Sequence, residues 1–317
     1  MIQVRNLTKR YGSFLAVDDI SFEIDRGGVV GFLGPNGAGK TTTLRILSCY
    51  HPATSGTASI AGFDVFKDSM EVRRRVGYLP ESTPLYTEMR VREYLNFRGK
   101  LRGLSYSQRV DAIRRVTERC WLGEFIDRPI GHLSKGMRQR VGLADAIMHD
   151  PEVLILDEPT IGLDPTQIRE TRNLVKELGE RHTVLLSSHI LHEVEQTCSR
   201  TIIIASGRIV ASGSPQDLRN RFSAQARVVA EVRGPQQDVE SSARTLTGVQ
   251  RVEVSSNNGW VRLAVDAQPD QDVREDLFRL TSSRGWSLRE LRREGATLED
   301  FFVQVTTEQA QRDKVNR

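Results

Sequence analysis

Gly34-Pro35-Asn36-Gly37-Ala38-Gly39-Lys40-Thr41-Thr42 is the stretch on which the fold turns. Its spacing is G-x-x-x-x-G-K-T, from Gly34 to Thr41. A loop this rich in glycine can aim successive backbone N–H groups inward, because few side chains obstruct the turn. Those amides, with the positive end of a following helix, make a cradle for a polyphosphate. Lys40 is placed to reach the outer phosphates, and the Thr41 hydroxyl to ligate Mg²⁺. The flanks supply the context that this motif needs. Val29-Val30-Gly31-Phe32-Leu33 reads as a buried strand, and residues 41–50 read as a helix.

Bulk properties narrow the class. At 317 residues the chain exceeds one compact domain, so two are expected. Hydrophobic residues make up 38% and charged residues 27%, which leaves enough apolar side chains for a sizeable core. The net charge of +4 is mild, and the basic clusters at Arg73-Arg74-Arg75, Arg138 to Arg140 and Arg292-Arg293 are short and separated. They are not interleaved with aromatics, so no nucleic-acid partner is expected. Cys49, Cys120 and Cys198 form no C-x-x-C pair, which argues for a reducing compartment and against a disulfide framework. No secretion signal is evident at the N-terminus, and apolar runs such as Ile202-Ile203-Ile204-Ala205 are too short to span a bilayer. The expectation is a cytoplasmic chain; work at a membrane would need a spanning partner.

Periodicity supplies the organisation. Ile2, Val4, Val17, Ile20, Phe22 and Ile24 alternate with polar neighbours, as half-buried antiparallel strands do, and residues 56–63 read as another strand. Residues 91–149 read as helical, with Tyr94, Leu95 and Leu101 on one face and Val110, Ile113 and Val116 on another. Strands return at 153–156, 183–187 and 201–205. Apolar strands alternating with helices around a phosphate loop imply an α/β fold with a parallel sheet. Beyond about residue 220 the order is strand 227–233, helix 236–246, strand 249–254, strand 260–265, helix 270–283 and strand 286–291. That β-α-β-β-α-β order is ferredoxin-like. Asn257-Asn258-Gly259 should turn the central hairpin, and Thr297-Leu298-Glu299-Asp300 reads as a capped helix start. Residues 307–317 read as a polar tail. The expected domains are therefore 1–220, with a helical subdomain at about 88–150, and 221–306.

Two further motifs carry chemistry. Val153-Leu154-Ile155-Leu156-Asp157-Glu158-Pro159 is a buried strand ending in two carboxylates, at the edge where α/β sheets bind ligands. Asp157 is placed to hold Mg²⁺, directly or through water, and Glu158 to orient and partly deprotonate an attacking water. Leu133-Ser134-Lys135-Gly136-Met137 opens a helix, with Ser134 as N-cap and Gly136 permitting close backbone approach. This helix start is a second anion site in a chain that already has one cradle. Two make sense if one serves the nucleotide held by another subunit.

The order of phosphate loop, Ser-x-Gly helix start and apolar-Asp-Glu-Pro resembles the ATP-binding subunits of ABC transporters over about residues 1–220. The resemblance implies a P-loop NTPase core with an inserted helical subdomain, ATP and Mg²⁺ as ligands, and ATP hydrolysis in a homodimer or paralogous dimer that powers a membrane permease. It implies that Tyr11 stacks on adenine and that Gly34 to Thr42 bind the phosphates. It further implies that Ser134 and Gly136 meet the γ-phosphate on the opposite protomer, that Asp164 couples the two sites, and that His189 contacts the γ-phosphate. Lys135 and Met137 depart from the family's usual Leu-Ser-Gly-Gly-Gln, while the Ser and second Gly remain. In Tyr78-Leu79-Pro80-Glu81 the acid stands where a glutamine is usual; Glu81 keeps an oxygen ligand for the metal and adds a charge. These variations are similar to those of gliding-motility and multidrug-type exporter subunits, whose small C-terminal domain the last residues, through Leu298 to Phe302, also resemble. The permease-coupled reading places the chain on the inner face of the cell membrane. ABC-type ATPases acting on DNA or ribosomes share these motifs but usually carry coiled-coil insertions or two cassettes, and this chain has one phosphate loop.

Overall fold

The structure is a computed structural model and describes residues 1–222, 227–268 and 271–294. Two compact units divide the chain, Met1–Pro215 and one beginning at Gln216. The expected helix start at Thr297 and the tail at 307–317 lie outside the described residues.

The first unit opens with β1 (Ile2–Tyr11), β2 (Phe14–Ile24) and β3 (Val29–Leu33), which runs into the glycine loop and α1 (Lys40–Leu47). After β4 (Ser55–Ile60), β5 (Phe63–Asp64), α2 (Ser69–Arg75) and β6 (Val76–Leu79) comes the helical stretch α3 (Val91–Leu101), α4 (Tyr106–Arg119) and α5 (Lys135–Ile147). Then β7 (Val153–Asp157), α6 (Pro165–Gly179), β8 (Thr183–Ser188), α7 (Leu191–Thr197) and β9 (Arg200–Ala205) alternate, and β10 (Arg208–Gly213) turns back on β9. Helix α8 (Pro215–Phe222) follows.

Two sheets result. The alternating segments form an antiparallel sheet in the order β2-β1-β4-β5. The continuously apolar segments form a sheet in the order β10-β9-β3-β8-β7-β6, parallel except at β10. Every residue of β3 and β7 is buried, as expected for strands covered on both faces. Helix α1 lies between the sheets; its Leu44, Ile46 and Leu47 join Ile2, Ile20, Phe32 and Ile155 in one core. Helices α6 and α7 pack against β3 and β8. Helix α1 stops at Leu47, short of the expected residue 50, because Cys49 turns into the left-handed region at φ 59°.

In the helical stretch Tyr94, Leu95 and Val116 are buried as expected, but Leu101 and Val110 are exposed at 61% and 50%. Leu101 ends α3 at the mouth of a groove. On α4 the buried positions are Ala112 and Val116, which places Val110 about 200° round the helix from Ala112.

The second unit contains β11 (Arg227–Arg233), α9 (Gln236–Arg244), β12 (Val249–Asn257), β13 (Trp260–Ala267), α10 (Arg274–Ser283) and β14 (Ser287–Glu294). Its antiparallel sheet runs β12-β13-β11-β14, the ferredoxin-like order. Asn258 and Gly259 take φ 50° and 76°, so the hairpin turns through two left-handed residues. Val228, Ala230, Leu263 and Val265 pack against Val239 and Leu277 of the two helices. Helix α10 starts at Arg274; residue 270, where it was expected to begin, lies outside the described residues.

Candidate functional site

Parallel register gathers the charged residues. Strand β3 pairs with β8, aligning Leu33 with Ser188, and β8 pairs with β7, aligning Ser187 with Asp157. The glycine loop, the Ser-Ser-His run and the Asp-Glu pair therefore leave adjacent strands at one carboxyl edge, although they are far apart in sequence. Ligands of open α/β sheets bind at such edges.

Backbone crowding explains the loop's composition. A Cβ on Gly34 would lie 2.4 Å from the Ile204 carbonyl oxygen, and one on Gly39 2.6 Å from that of Ala16. Gly39 also holds φ 105° as the residue before α1. Pro35, Asn36, Gly37 and Ala38 form the arch between them, closed by Ala38 N–H donating to the Pro35 carbonyl at 3.2 Å. Lys40 is 6% exposed. Its Nζ donates to the carbonyls of Gly34 (2.7 Å) and Pro35 (3.2 Å) and lies 3.4 Å from Glu158 Oε1. Two loop carbonyls and one carboxylate thus surround the ammonium, the first two as hydrogen-bond acceptors and the third as its ion-pair partner. Thr41 and Thr42 follow on the first turn of α1, both half-buried.

Across from the loop, Asp157 is fully buried and Glu158 is 5% exposed. Ser187 joins them: its hydroxyl donates to Asp157 Oδ1 (2.6 Å) and accepts from Glu158 N–H (2.9 Å). His189 Nδ1 lies 2.9 Å from Glu158 Oε2; a carboxylate can only accept, which fixes a proton on Nδ1. Glu158 holds φ 50°, a left-handed conformation that a non-glycine residue enters at a cost of about 1–3 kcal/mol. Burial raises the Asp157 carboxyl above its ordinary range; hydrogen bonds from Ser187 and Thr41 oppose this, and the charges of Glu158 and Glu81 add to it. Glu81 itself is exposed, just past the end of β6.

The donor set fits a hard cation. Asp157 Oδ2 is buried with no hydrogen-bond partner. An orphaned carboxylate oxygen beside a threonine hydroxyl, with a second carboxylate near, matches the oxygen ligands that Mg²⁺ takes.

The remaining expected site residues lie elsewhere. Tyr11 is 43% exposed, with the Lys9 ammonium 4.8 Å from its ring centre. Ser134 caps α5, accepting from Met137 N–H at 3.2 Å. Asp164 caps α6, accepting from the Thr166 and Gln167 amides at 3.0 and 2.9 Å. These two helix starts touch: a Cβ on Gly136 would lie 2.4 Å from Gln167 Oε1. Ser134, Gly136 and Asp164 therefore share a second cluster, at the starts of α5 and α6. Lys135, exposed, packs over Gly162, whose added Cβ would meet Nζ at 2.6 Å.

Sequence reasoning passed over Ser187, whose only local mark is a polar residue at the end of an apolar strand. A groove of about 920 Å³ also went unanticipated. Arg45, Arg73, Arg74, Arg98 and Arg102 line it, with Asp145 as the lone carboxylate, paired to Arg98 at 2.9 Å. Exposed Tyr50, Met70 and Leu101 edge it. No helix among the described residues is long and apolar enough to cross a membrane.

Residues 17–161 match the family model described as ABC transporter. The linearmycin resistance ATP-binding protein of Bacillus subtilis (strain 168) is 32% identical over 307 residues, spanning 96% of this chain and 98% of the relative. The bacitracin transport ATP-binding protein of Bacillus licheniformis is 41% identical over 212 residues, 66% of this chain and 68% of that one. A solved structure of an ATP-binding subunit of an ABC transporter superposes with a TM-score of 0.65 at 31% identity, covering 70% of this chain and 93% of that one. A dimeric ATP-binding cassette in a post-hydrolysis state with ADP and Pi shares the fold, with a TM-score of 0.63 at 24% identity over 68% of this chain and 98% of that one.

Proposed function

The chain belongs to the ABC transporter family as an ATP-binding, ATP-hydrolysing subunit, and from that premise we propose that two copies, or one copy and a paralogue, hold two ATP molecules between them to drive a membrane permease. One observation carries the reading at the level of residues. Lys40, Glu158 and His189 meet within 3.4 Å at the edge where the glycine loop opens.

In this reading the amides of Gly34 to Thr42 and the Lys40 ammonium bind the triphosphate, and Tyr11 stacks on the base. Thr41 and Asp157 would hold Mg²⁺, with Glu81 beside them, and the bound ion would neutralise phosphate charge. Glu158 accepts a proton from a water that attacks the γ-phosphorus; the bond to the bridging oxygen breaks, giving ADP and phosphate. His189 holds the Glu158 carboxylate by its 2.9 Å contact and faces the departing phosphoryl group. Catalysis rests on positioning and charge, with no covalent intermediate.

The second cluster supplies the other half of the sandwich. Ser134 is exposed at the start of α5, which suits it to a phosphate held by the neighbour. Gly136 brings the backbone close, and Asp164 links that surface to Glu158 through a short turn. Loss of the γ-phosphate removes the bridge and the pair opens. The arginine-lined groove is the surface offered to the permease: an apolar segment carrying carboxylates would fill its rim and neutralise its floor. The chain then works on the inner face of the membrane, and the drug-resistance and transport names of its relatives favour export.

Lys40→Ala tests the core of the reading. Nucleotide binding should be lost to the extent of at least ~10²-fold, since a charge-assisted contact to phosphate goes with the buried Lys40 ammonium. Unchanged affinity for ATP refutes the loop assignment.

A further inference from the structure

Glu193 has no part in the site just described, yet it is a carboxylate only 8% exposed. It sits on the first turn of α7 and accepts the Thr160 hydroxyl at 2.7 Å, with the Ser188 hydroxyl at 3.4 Å from the same oxygen. No cation lies within ion-pair distance of it among the described residues. A buried carboxylate bonded only to hydroxyls is costly to keep, so its placement calls for a reason beyond packing.

The two hydroxyls belong to different segments. Thr160 lies two residues past Glu158, at the head of the turn that ends at Asp164; Ile161 N–H donates to the Glu158 carbonyl (3.2 Å) and Leu163 N–H to the Thr160 carbonyl (3.2 Å). Ser188 immediately precedes His189. Two rungs already join these segments close to the chemistry: Ser187 to Asp157 and Glu158, and His189 to Glu158. The Thr160–Glu193–Ser188 contact is a third rung, two residues beyond Glu158 in the chain, with the Ser188 hydroxyl shared with the Ile190 carbonyl at 3.4 Å. We propose that Glu193 is a positioning residue, which pins the Thr160–Asp164 turn against the His189 segment so that Glu158 is held from both sides while it meets water. The proposal rests on the assignment of Glu158 and His189 above, but its effect on the turn is independent of chemistry.

Glu193→Ala should lower kcat by roughly 10- to 100-fold, the range expected when a positioning contact remote from the reacting atoms is lost. The KM for ATP should stay within about threefold, because the phosphate cradle is untouched. Glu193→Gln should restore most of the rate: its carbonyl oxygen in the Oε2 position can accept from the same two hydroxyls. Thr160→Val should match Glu193→Ala, and the double variant should be no slower than either single one, the signature of one shared interaction. Additive losses, or a glutamine no better than alanine, would overturn the proposal. A second measurement uses nucleotide-free protein. Amide hydrogen exchange in peptides covering 159–164 should speed up in Glu193→Ala and return to normal in Glu193→Gln. Unchanged exchange rejects the pin even if Glu158→Gln proves the catalytic assignment correct. Faster exchange in an enzyme whose Glu158→Gln variant keeps full activity upholds the pin and rejects that assignment.

Discussion

Glu158→Gln should change two quantities, and the structure ties each to a different contact. The first is turnover. Loss of the general base slows hydrolysis by at least ~10²-fold, or about 2.7 kcal/mol of barrier. The second is ATP affinity before any hydrolysis. In the nucleotide-free chain Lys40 is spoken for, bonded to two loop carbonyls and lying 3.4 Å from Glu158 with both side chains almost fully buried. At an effective dielectric near 20 such a pair attracts by about 5 kcal/mol, an upper bound, because phosphate oxygens replace the carboxylate when ATP binds. The net penalty that Glu158 imposes is the smaller difference, about 1–2 kcal/mol; removing its charge should tighten ATP binding roughly 5- to 30-fold. The assay is a nucleotide titration of dilute protein with chelator present, so that neither turnover nor pairing of copies contributes. An affinity equal to or weaker than that of the unaltered chain refutes the idea that Glu158 competes with phosphate for Lys40.

The other expectations are more local. Replacing both Arg73 and Arg74 with glutamate should leave ATP hydrolysis by the isolated chain within about twofold, since neither touches the cradle, yet abolish co-purification with a permease; retained co-purification removes the groove from the permease contact. Burial, helped by the nearby Arg102 guanidinium, pushes the His149 imidazole down to about 3. A base with a depressed folded value contributes stability above its unfolded value of about 6.5 and loses it as pH falls from there toward 3. At pH 5.5 the loss is about 1.4 kcal/mol relative to pH 7.5. His149→Gln should lack that increment in urea unfolding of the first unit, and equal pH slopes for the two proteins would exclude His149 as the source.

What the sequence disclosed was local. The glycine loop, the apolar strand ending in Asp157 and Glu158, and the hairpin turn at Asn258-Gly259 each carry their whole signal within a few residues. What it concealed depends on pairings between distant segments. Ser187 tethers Asp157 only because β8 lies beside β7 in a register that aligns the two residues, and nothing near Ser187 announces that neighbour. Glu193 looks like an ordinary helical acid until α7 turns it toward Thr160. The exposure of Leu101 likewise reflects a groove formed by segments on several elements. The left-handed backbone of Glu158 is a different kind of omission: a glutamate followed by proline gives no hint of a positive φ.

That backbone conformation fits the rest of the site's electrostatics. Glu158 is held in a strained conformation, Lys40 is bonded to two loop carbonyls and paired with Glu158, and Asp157 keeps one oxygen unpaired in the interior. On the proposed reading, a triphosphate with its divalent ion would relieve the Lys40 pairing and the unpaired Asp157 oxygen together. A triphosphate offers oxygens that release Lys40 from Glu158. Asp157 would offer its orphaned oxygen to a divalent ion. Glu158, freed of its cation but still held by His189 at 2.9 Å, is left with an open oxygen for water. On the proposed assignment, Glu158 would be freed of Lys40 once phosphate oxygens take its place, so the base would become available with the substrate bound.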